Sequence, residues 1–290
     1  MRGLKPFEYI EAQTIEEASR LLSGYGDRGI LFAGGVDLIP RMRNRKIKPE
    51  YVVNIQKIPG LDYIKGSGRE GLSIGALTSI RSVELSPAVR KDYVILYEAA
   101  HQLSSVQVKT MGTLVGNLCV GTPASDMAAC LIALGAELRI AGSGGEKTVP
   151  VENFYVGVGQ TILKAGDIVT EVLLPAVKAG TGGGFLNLVR TAADISKVNT
   201  AVIVLVSDGT CREARIALGA VAPTVFRAKK AEAILKGQKL DPKVIEAAGE
   251  AAAGETKPIT DLRSTAEYRR DVTRVLVIRA LNKAVERAKT

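Results

Sequence analysis

The sequence predicts an α+β protein in two domains, residues 1–176 as two α/β lobes (about 1–58 and 59–176) and 177–290 as a small antiparallel sheet packed by helices. Three observations predict it. The first 58 residues alternate helical and strand periodicity around a glycine turn. From residue 61 short strands alternate with helices. Beyond a glycine-rich stretch at 176–184, three strand-like runs precede three helical ones. At 290 residues the chain has room for two ordinary domains, and its 46% hydrophobic content supplies their cores.

The elements follow in order. Thr14-Ile-Glu-Glu17 is a capping box, Ile15, Ala18, Leu21 and Leu22 share one helical face, and Gly24 and Gly26 stop the helix. The strand Gly29–Ala33 leads to Gly34-Gly35, Asp37 is placed to cap a second helix that tolerates Pro40 in its first turn, and Tyr51–Ile55 is the next strand. The second lobe opens with the strand Leu72–Ala76, and Ser86-Pro87 starts a helix expected to run past His101. Met127–Leu134 reads as an apolar helix, Gly142–Gly145 turns a hairpin, and the strand Ile168–Leu174 ends at Pro175. Residues 176–184, with Gly180-Thr-Gly-Gly-Gly184, read as a linker or loose loop. Strands are expected near 184–190, 199–206 and 211–220, with Asp208-Gly209 as a tight hairpin turn. Of the closing helices, one follows Phe226, one starts at Asp241-Pro242, and the last at a second capping box, Ser264-Thr-Ala-Glu267.

Composition excludes several functions. The N-terminal stretch carries acids where a signal peptide needs an apolar run, and the longest uncharged stretch, Thr110–Ser125, is broken by glycines, an asparagine and a proline. The chain is therefore expected to be cytoplasmic, without a transmembrane segment. Cys119, Cys130 and Cys211 match no zinc or iron–sulfur spacing, so they read as buried structural thiols, His101 reads as helix-borne, and no metal is expected in this chain. The net charge is +9, yet aromatics make up only 4% and there is no Trp, which argues against nucleic acid. The densest basic run, Arg41–Lys48, reads as a solvated helix face, ahead of a dock for an acidic partner.

Two glycine loops stand out, Leu31-Phe32-Ala33-Gly34-Gly35-Val36-Asp37-Leu38 and Thr110–Asn117, the latter continuing to Thr122-Pro-Ala-Ser-Asp126. Glycine permits positive φ and lets an anion approach backbone N–H groups. Neither loop contains Lys or Arg, so a phosphate there would rest on backbone dipoles and the Thr113 hydroxyl. Spacing alone leaves open whether the loops are phosphate cradles or ordinary turns. No G-x-G-x-x-G follows a strand, no P-loop occurs, and no G-x-S-x-G elbow appears.

Taken together these segments resemble the FAD-binding medium subunit of the xanthine dehydrogenase and carbon monoxide dehydrogenase family of molybdenum hydroxylases. Ala33–Leu38 is similar to the family's A-G-G-[TH]-[DS]-L loop, Gly112–Asn117 to G-T-I-G-G-N, and Pro123–Asp126 to S-P-x-x-D. The likeness continues through Asn54–Leu61, Ile74–Thr78, Ile168–Pro175, Ala214–Pro223 and Tyr268–Arg270. Val115 stands where the family has the first glycine of a pair, and Val36 where it has a hydrogen-bonding side chain.

The resemblance implies a two-lobed FAD-binding fold of the vanillyl-alcohol oxidase type, followed by the family's C-terminal domain. By it, residues 31–38 and Thr113, Leu114, Val115, Gly116 and Asn117 wrap the FAD pyrophosphate. Asp126 binds the adenosine or ribityl side, and Val169 lines the flavin cleft. No residue is implied as an acid–base catalyst. The implied partners are a large molybdopterin subunit and a small subunit with [2Fe–2S] clusters, as a dimer of heterotrimers, with electrons leaving the flavin for a terminal acceptor. Rival readings are a stand-alone flavin oxidoreductase of the same fold, such as the reductase that makes UDP-N-acetylmuramate, and a basic binding module that has lost its flavin.

Overall fold

The computed structural model describes residues 3–288. Its first unit is a parallel three-stranded sheet, built from β1 (Glu8–Glu11), α1 (Ile15–Tyr25), β2 (Gly29–Phe32), α2 (Leu38–Arg43) and β3 (Tyr51–Asn54), in the order β1-β3-β2. β3 is central, with Val52 paired to both Tyr9 and Ile30. Thr14 caps α1 through its hydroxyl, as the capping box requires, but Glu17 reaches back to the N–H of Gln13, at 2.7 Å. Ala18 and Leu22 bury the helix against Val53, Ile55 and Ile58.

The second unit is an antiparallel sheet of β4 (Ile64–Ser67), β5 (Gly71–Gly75), β6 (Glu137–Gly142), β7 (Gly145–Pro150) and β10 (Ile168–Leu174), in the order β4-β5-β10-β6-β7. The hairpin of β4 and β5 leads into six helices: α3 (Ile80–Leu85), α4 (Pro87–Asp92), α5 (Val94–Gln102), α6 (Val106–Met111), α7 (Leu114–Cys119) and α8 (Asp126–Leu134). β6 and β7 form the expected hairpin, and a small one of β8 (Tyr155–Gly157) and β9 (Gln160–Thr161) precedes β10. The single helix expected from Ser86 past His101 is two helices. Tyr93 breaks it: its backbone leaves helical geometry while its ring is buried and its hydroxyl donates to the Pro175 carbonyl at 3.0 Å.

The remaining chain builds the sheet β11-β12-β13-β14 from β11 (Thr181–Leu188), β12 (Val198–Ser207), β13 (Thr210–Gly219) and β14 (Phe226–Arg227). α9 (Lys229–Leu235), α10 (Pro242–Gly254) and α11 (Ala266–Ala288) follow. Asp208 and Gly209, both at positive φ, form the two-residue turn between β12 and β13. Asp241 caps α10 with Pro242 in its first turn. The second capping box is shifted by one: α11 is capped by Thr265, whose hydroxyl accepts from Tyr268, not by Ser264.

The stretch 180–184 is not a loose loop. Most of it is strand, and two of its glycines are demanded by a close helix: a Cβ on Gly182 would strike the Ala284 carbonyl, and one on Gly184 the Ala280 carbonyl. Side chains there would push α11 off the sheet. α8 is apolar all round because it is enclosed; every residue from Met127 to Ala133 is buried. Its surroundings include Phe185, Ala201 and Ala217 of the last sheet, so one core runs through the second and third units.

Candidate functional site

A cleft runs between the parallel sheet and the helices of the second unit, and both glycine loops line it. One wall is Leu31, Ala33, Gly34, Gly35, Val36, Asp37 and Leu38. The other includes Thr113, Val115, Gly116 and Asn117, and Val169 with Ile168 on β10 closes the floor.

The loops meet backbone to backbone. A Cβ on Gly34 would collide with the Met111 carbonyl oxygen and lie within 3.1 Å of the Gly112 Cα, so only glycine lets the walls approach. Gly35 sits at φ +69°, the left-handed region that disfavours other residues. Past this turn the chain enters α2, where Ile39 donates to the Gly35 carbonyl at 3.0 Å. Among the described residues, the N–H groups of Gly34, Gly35, Val36 and Asp37 have no protein acceptor. Asp37 occupies the cap position of α2 but its carboxylate makes no capping bond, against the sequence expectation. A row of backbone donors without internal partners is a cradle for anionic oxygens.

The second loop is pinned from behind. Ile80 donates to the Gly112 carbonyl at 2.9 Å and Leu114 to the Thr78 carbonyl at 3.0 Å, a short bridge fixing where α7 starts. The Thr113 hydroxyl accepts from Gly116 at 2.9 Å, and a Cβ on Gly116 would lie 2.7 Å from that oxygen. Asn117 accepts from Ser125 at 2.7 Å, and Ser125 is also the cap of α8. The two departures from the family pattern are absorbed apolarly. Val36 faces Gly112, and Val115 is buried at 6% exposure in the second unit's core.

Three nominated residues lie outside the cleft lining. Phe32 packs its ring beneath Gly35 and edge-on to Tyr9, and Leu114 is fully buried in the core. Asp126, expected at the cofactor, is turned to the last sheet. Its carboxylate accepts from Ser196 at 2.8 Å, Asn199 at 2.7 Å and Asn187 at 3.1 Å. Burial raises its carboxyl above the ordinary value, and those three hydrogen bonds work in the opposite direction. The cap of α8 is its neighbour Ser125.

Cleft residues that the sequence did not nominate for the site include Ala76, Ile80, Leu103 and Val108, all apolar, and Cys119, Asp167 and Arg41. Cys119 is half-buried, and burial pushes its thiol up to about 12; Cys130 and Cys211 are buried. Asp167 is held by Lys147 at 2.7 Å. Arg41 could have been nominated from its place one helical turn beyond Asp37.

Behind the cleft lies a charged cluster. Glu84, 5% exposed, takes ion pairs from Lys109 at 2.7 Å and Arg81 at 2.8 Å, and the His101 Nδ1 lies within hydrogen-bond distance at 2.9 Å. Burial alone would raise the Glu84 carboxyl; hydrogen bonds from Lys109, Arg81 and His101 overcome it and hold the pKa down to about 2. His101 is exposed at the end of α5. Among the described residues no group of three or more His, Cys, Asp or Glu could hold a metal ion, and no helix is long and apolar enough to cross a membrane.

Residues 5–177 match the family model for the FAD binding domain in molybdopterin dehydrogenase, and residues 185–284 match that for the CO dehydrogenase flavoprotein C-terminal domain. The carbon monoxide dehydrogenase medium chain of Hydrogenophaga pseudoflava is 34% identical over 278 residues, 96% of each chain. The glyceraldehyde dehydrogenase medium chain of Sulfolobus acidocaldarius is 30% identical over 94% of this chain and 96% of its own length. A solved structure of carbon monoxide dehydrogenase from Hydrogenophaga pseudoflava superposes with a TM-score of 0.95 at 36% identity, covering 98% of this chain and 99% of that one. Quinoline 2-oxidoreductase from Pseudomonas putida 86 gives 0.92 at 27% identity over 99% and 100%. With both matched regions in order along the chain and the glycine loops facing each other across one cleft, this protein belongs to the family of FAD-binding medium subunits of molybdenum hydroxylases.

Proposed function

We propose that the cleft holds FAD with its pyrophosphate between the Gly34–Asp37 turn and the Thr113–Asn117 loop. One observation carries this reading: the walls touch at Gly34 and Met111, and the turn at that contact presents backbone N–H groups with no protein acceptor. The Thr113 hydroxyl caps α7 and is a further polar group at the wall. Ile168 and Val169 offer an apolar floor suited to a flat aromatic ring system. When bound, the flavin supplies the redox chemistry, accepting electrons that reach it from iron–sulfur clusters of a partner and releasing them to an acceptor. This chain's residues bind the cofactor, orient it and keep water from its buried face. The relatives are named as medium chains or subunits, which supports partnership with a large molybdopterin subunit and a small iron–sulfur subunit. We place that assembly in the cytoplasm as a dimer of heterotrimers, with NAD, a quinone, oxygen or another protein as the terminal acceptor.

Purification from native cells tests the proposal. The expected product is a yellow complex that contains iron–sulfur and molybdopterin subunits and releases one FAD per copy of this chain on denaturation. FMN in place of FAD would refute the cofactor assignment, as would failure of gently stripped protein to take FAD back. Recovery solely as a free homo-oligomer, fully active alone, would refute the partners.

A further inference from the structure

Neither glycine loop contains a cation, yet a diphosphate brings two negative charges into the cleft. Among the lining residues there is one basic side chain, Arg41. It sits on α2, and its N–H donates to the Asp37 carbonyl at 3.2 Å, one turn back. Helical side chains project toward their own helix N-terminus, so the side chain at position 41 leans back toward the Gly35–Asp37 turn, which lines the same cleft and carries free N–H groups. Arg41 is exposed and, among the described residues, has neither an ion pair nor a side-chain hydrogen bond. Of the two carboxylates in the lining, Asp167 is engaged by Lys147 and by the Lys164 N–H at 3.2 Å, and Asp37 forms no ion pair with Arg41. The other basic residues of this run, Arg43, Lys46 and Lys48, are exposed but do not line the cleft, and Arg45 is tied to the Gly3 carbonyl at 2.6 Å.

We infer that Arg41 is a binding residue for the diphosphate of the cofactor, supplying from α2 the positive charge that both glycine loops lack. The inference rests on the flavin reading above. A guanidinium presents five donors in a planar fork and stays charged at all working pH values, so it adds charge-assisted bonds where the loops add only dipoles. Two properties follow. FAD binding depends on salt, because a solvent-facing charge pair is screened. Flavins without the diphosphate gain nothing from Arg41.

The test is flavin titration of the stripped full-length chain, as wild type, Arg41→Ala and Arg41→Lys, with FAD and with riboflavin, at low and high salt. At low salt Arg41→Ala should weaken FAD about 5- to 50-fold, the range of a partly screened charged hydrogen bond. Arg41→Lys should recover most of the loss, and the deficit should shrink at high salt. Riboflavin affinity should be the same in all three proteins, as should the melting of the stripped chain, since Arg41 holds no other group. FAD affinity of Arg41→Ala within twofold of wild type would overturn the role, and so would an equal loss for riboflavin. A wild-type chain that binds riboflavin normally yet takes up no FAD would sink the pyrophosphate site itself, and the role of Arg41 with it.

Discussion

At position 34 a glycine Cα lies against the Met111 carbonyl, and a single added carbon would occupy the space that oxygen fills. Gly34→Val should therefore part the two walls, and Gly116→Val should displace the Thr113 hydroxyl that caps α7. Both changes fall at the cleft, so the expected outcome is loss of FAD retention with a folded chain, measured by flavin content and circular dichroism. Full occupancy in either variant would reduce the loops to turns. Asp126 is a residue of another kind. Its carboxylate joins the start of α8 to Asn187, Ser196 and Asn199, so Asp126→Ala strands several donors at once. An unsatisfied buried polar group costs about 1–3 kcal/mol, and apo stability should fall by about that amount or more. Asp126→Asn keeps one acceptor oxygen and should lose less. FAD affinity should change far less than in the Gly34 variant; a large loss of affinity with an unchanged apo melt would return Asp126 to the cofactor.

Among the elements, α3, α5 and α6 are tied by one carboxylate. Glu84 on α3 faces Lys109 on α6, and the Lys109 ammonium also donates to the His101 carbonyl on α5 at 3.1 Å. α6 runs directly into Met111 and Gly112, so this tie sets where the second cleft wall stands. Removing one partner of a buried pair leaves a charge uncompensated, and Glu84→Gln should cost about 3–5 kcal/mol. The pH dependence has a definite sign. The folded pKa of about 2 lies below the ordinary 4.5, so the stabilisation is complete above that ordinary value. It is lost as pH falls from there toward the folded value. Denaturant midpoints of wild type and Glu84→Gln should converge across that interval; a gap that stays constant down to the folded pKa would contradict the ion-pair account. His101, exposed at the rim of the cluster, is held to Glu84 only when its Nδ1 donates, a lesser contribution than that of the enclosed Lys109.

For the whole molecule the decisive fact is a core that does not stop at residue 177. Phe185, Ala201, Ala217 and Val225 belong to the same cluster as Met127, Leu131 and Tyr93. Arg287, near the end of α11, pairs with Glu98 on α5 at 2.6 Å, adding a polar tie between the same parts. Residues 1–176 expressed alone should expose the enclosed helix α8 and be insoluble or molten. A monomeric fragment with a cooperative melt and native FAD affinity would show that the shared core is dispensable. FAD should stabilise the intact chain by about 2.7 kcal/mol, and so raise its melting temperature, at free FAD a hundredfold above Kd.

The sequence by itself determined what depends on neighbours in the chain. The Thr14 and Asp241 caps, the Asp208-Gly209 turn and the α8 helix are each written within a few residues. The glycine loops were legible for the same reason, because a positive φ at Gly35 is a local demand. The tertiary structure decided what depends on distant partners. Gly180–Gly184 looks like a linker until α11, a hundred residues on, is found lying against it, and then only glycine fits at 182 and 184. The resemblance implies Asp126 as a cofactor ligand, yet its carboxylate goes to residues 61, 70 and 73 positions away. Arg41 belongs by sequence to a solvated basic run, and the turn of α2 brings it to the cleft. Local patterns fix which backbone conformations are cheap, but which side chain is left facing a cavity is settled only when separate elements pack and claim the other faces.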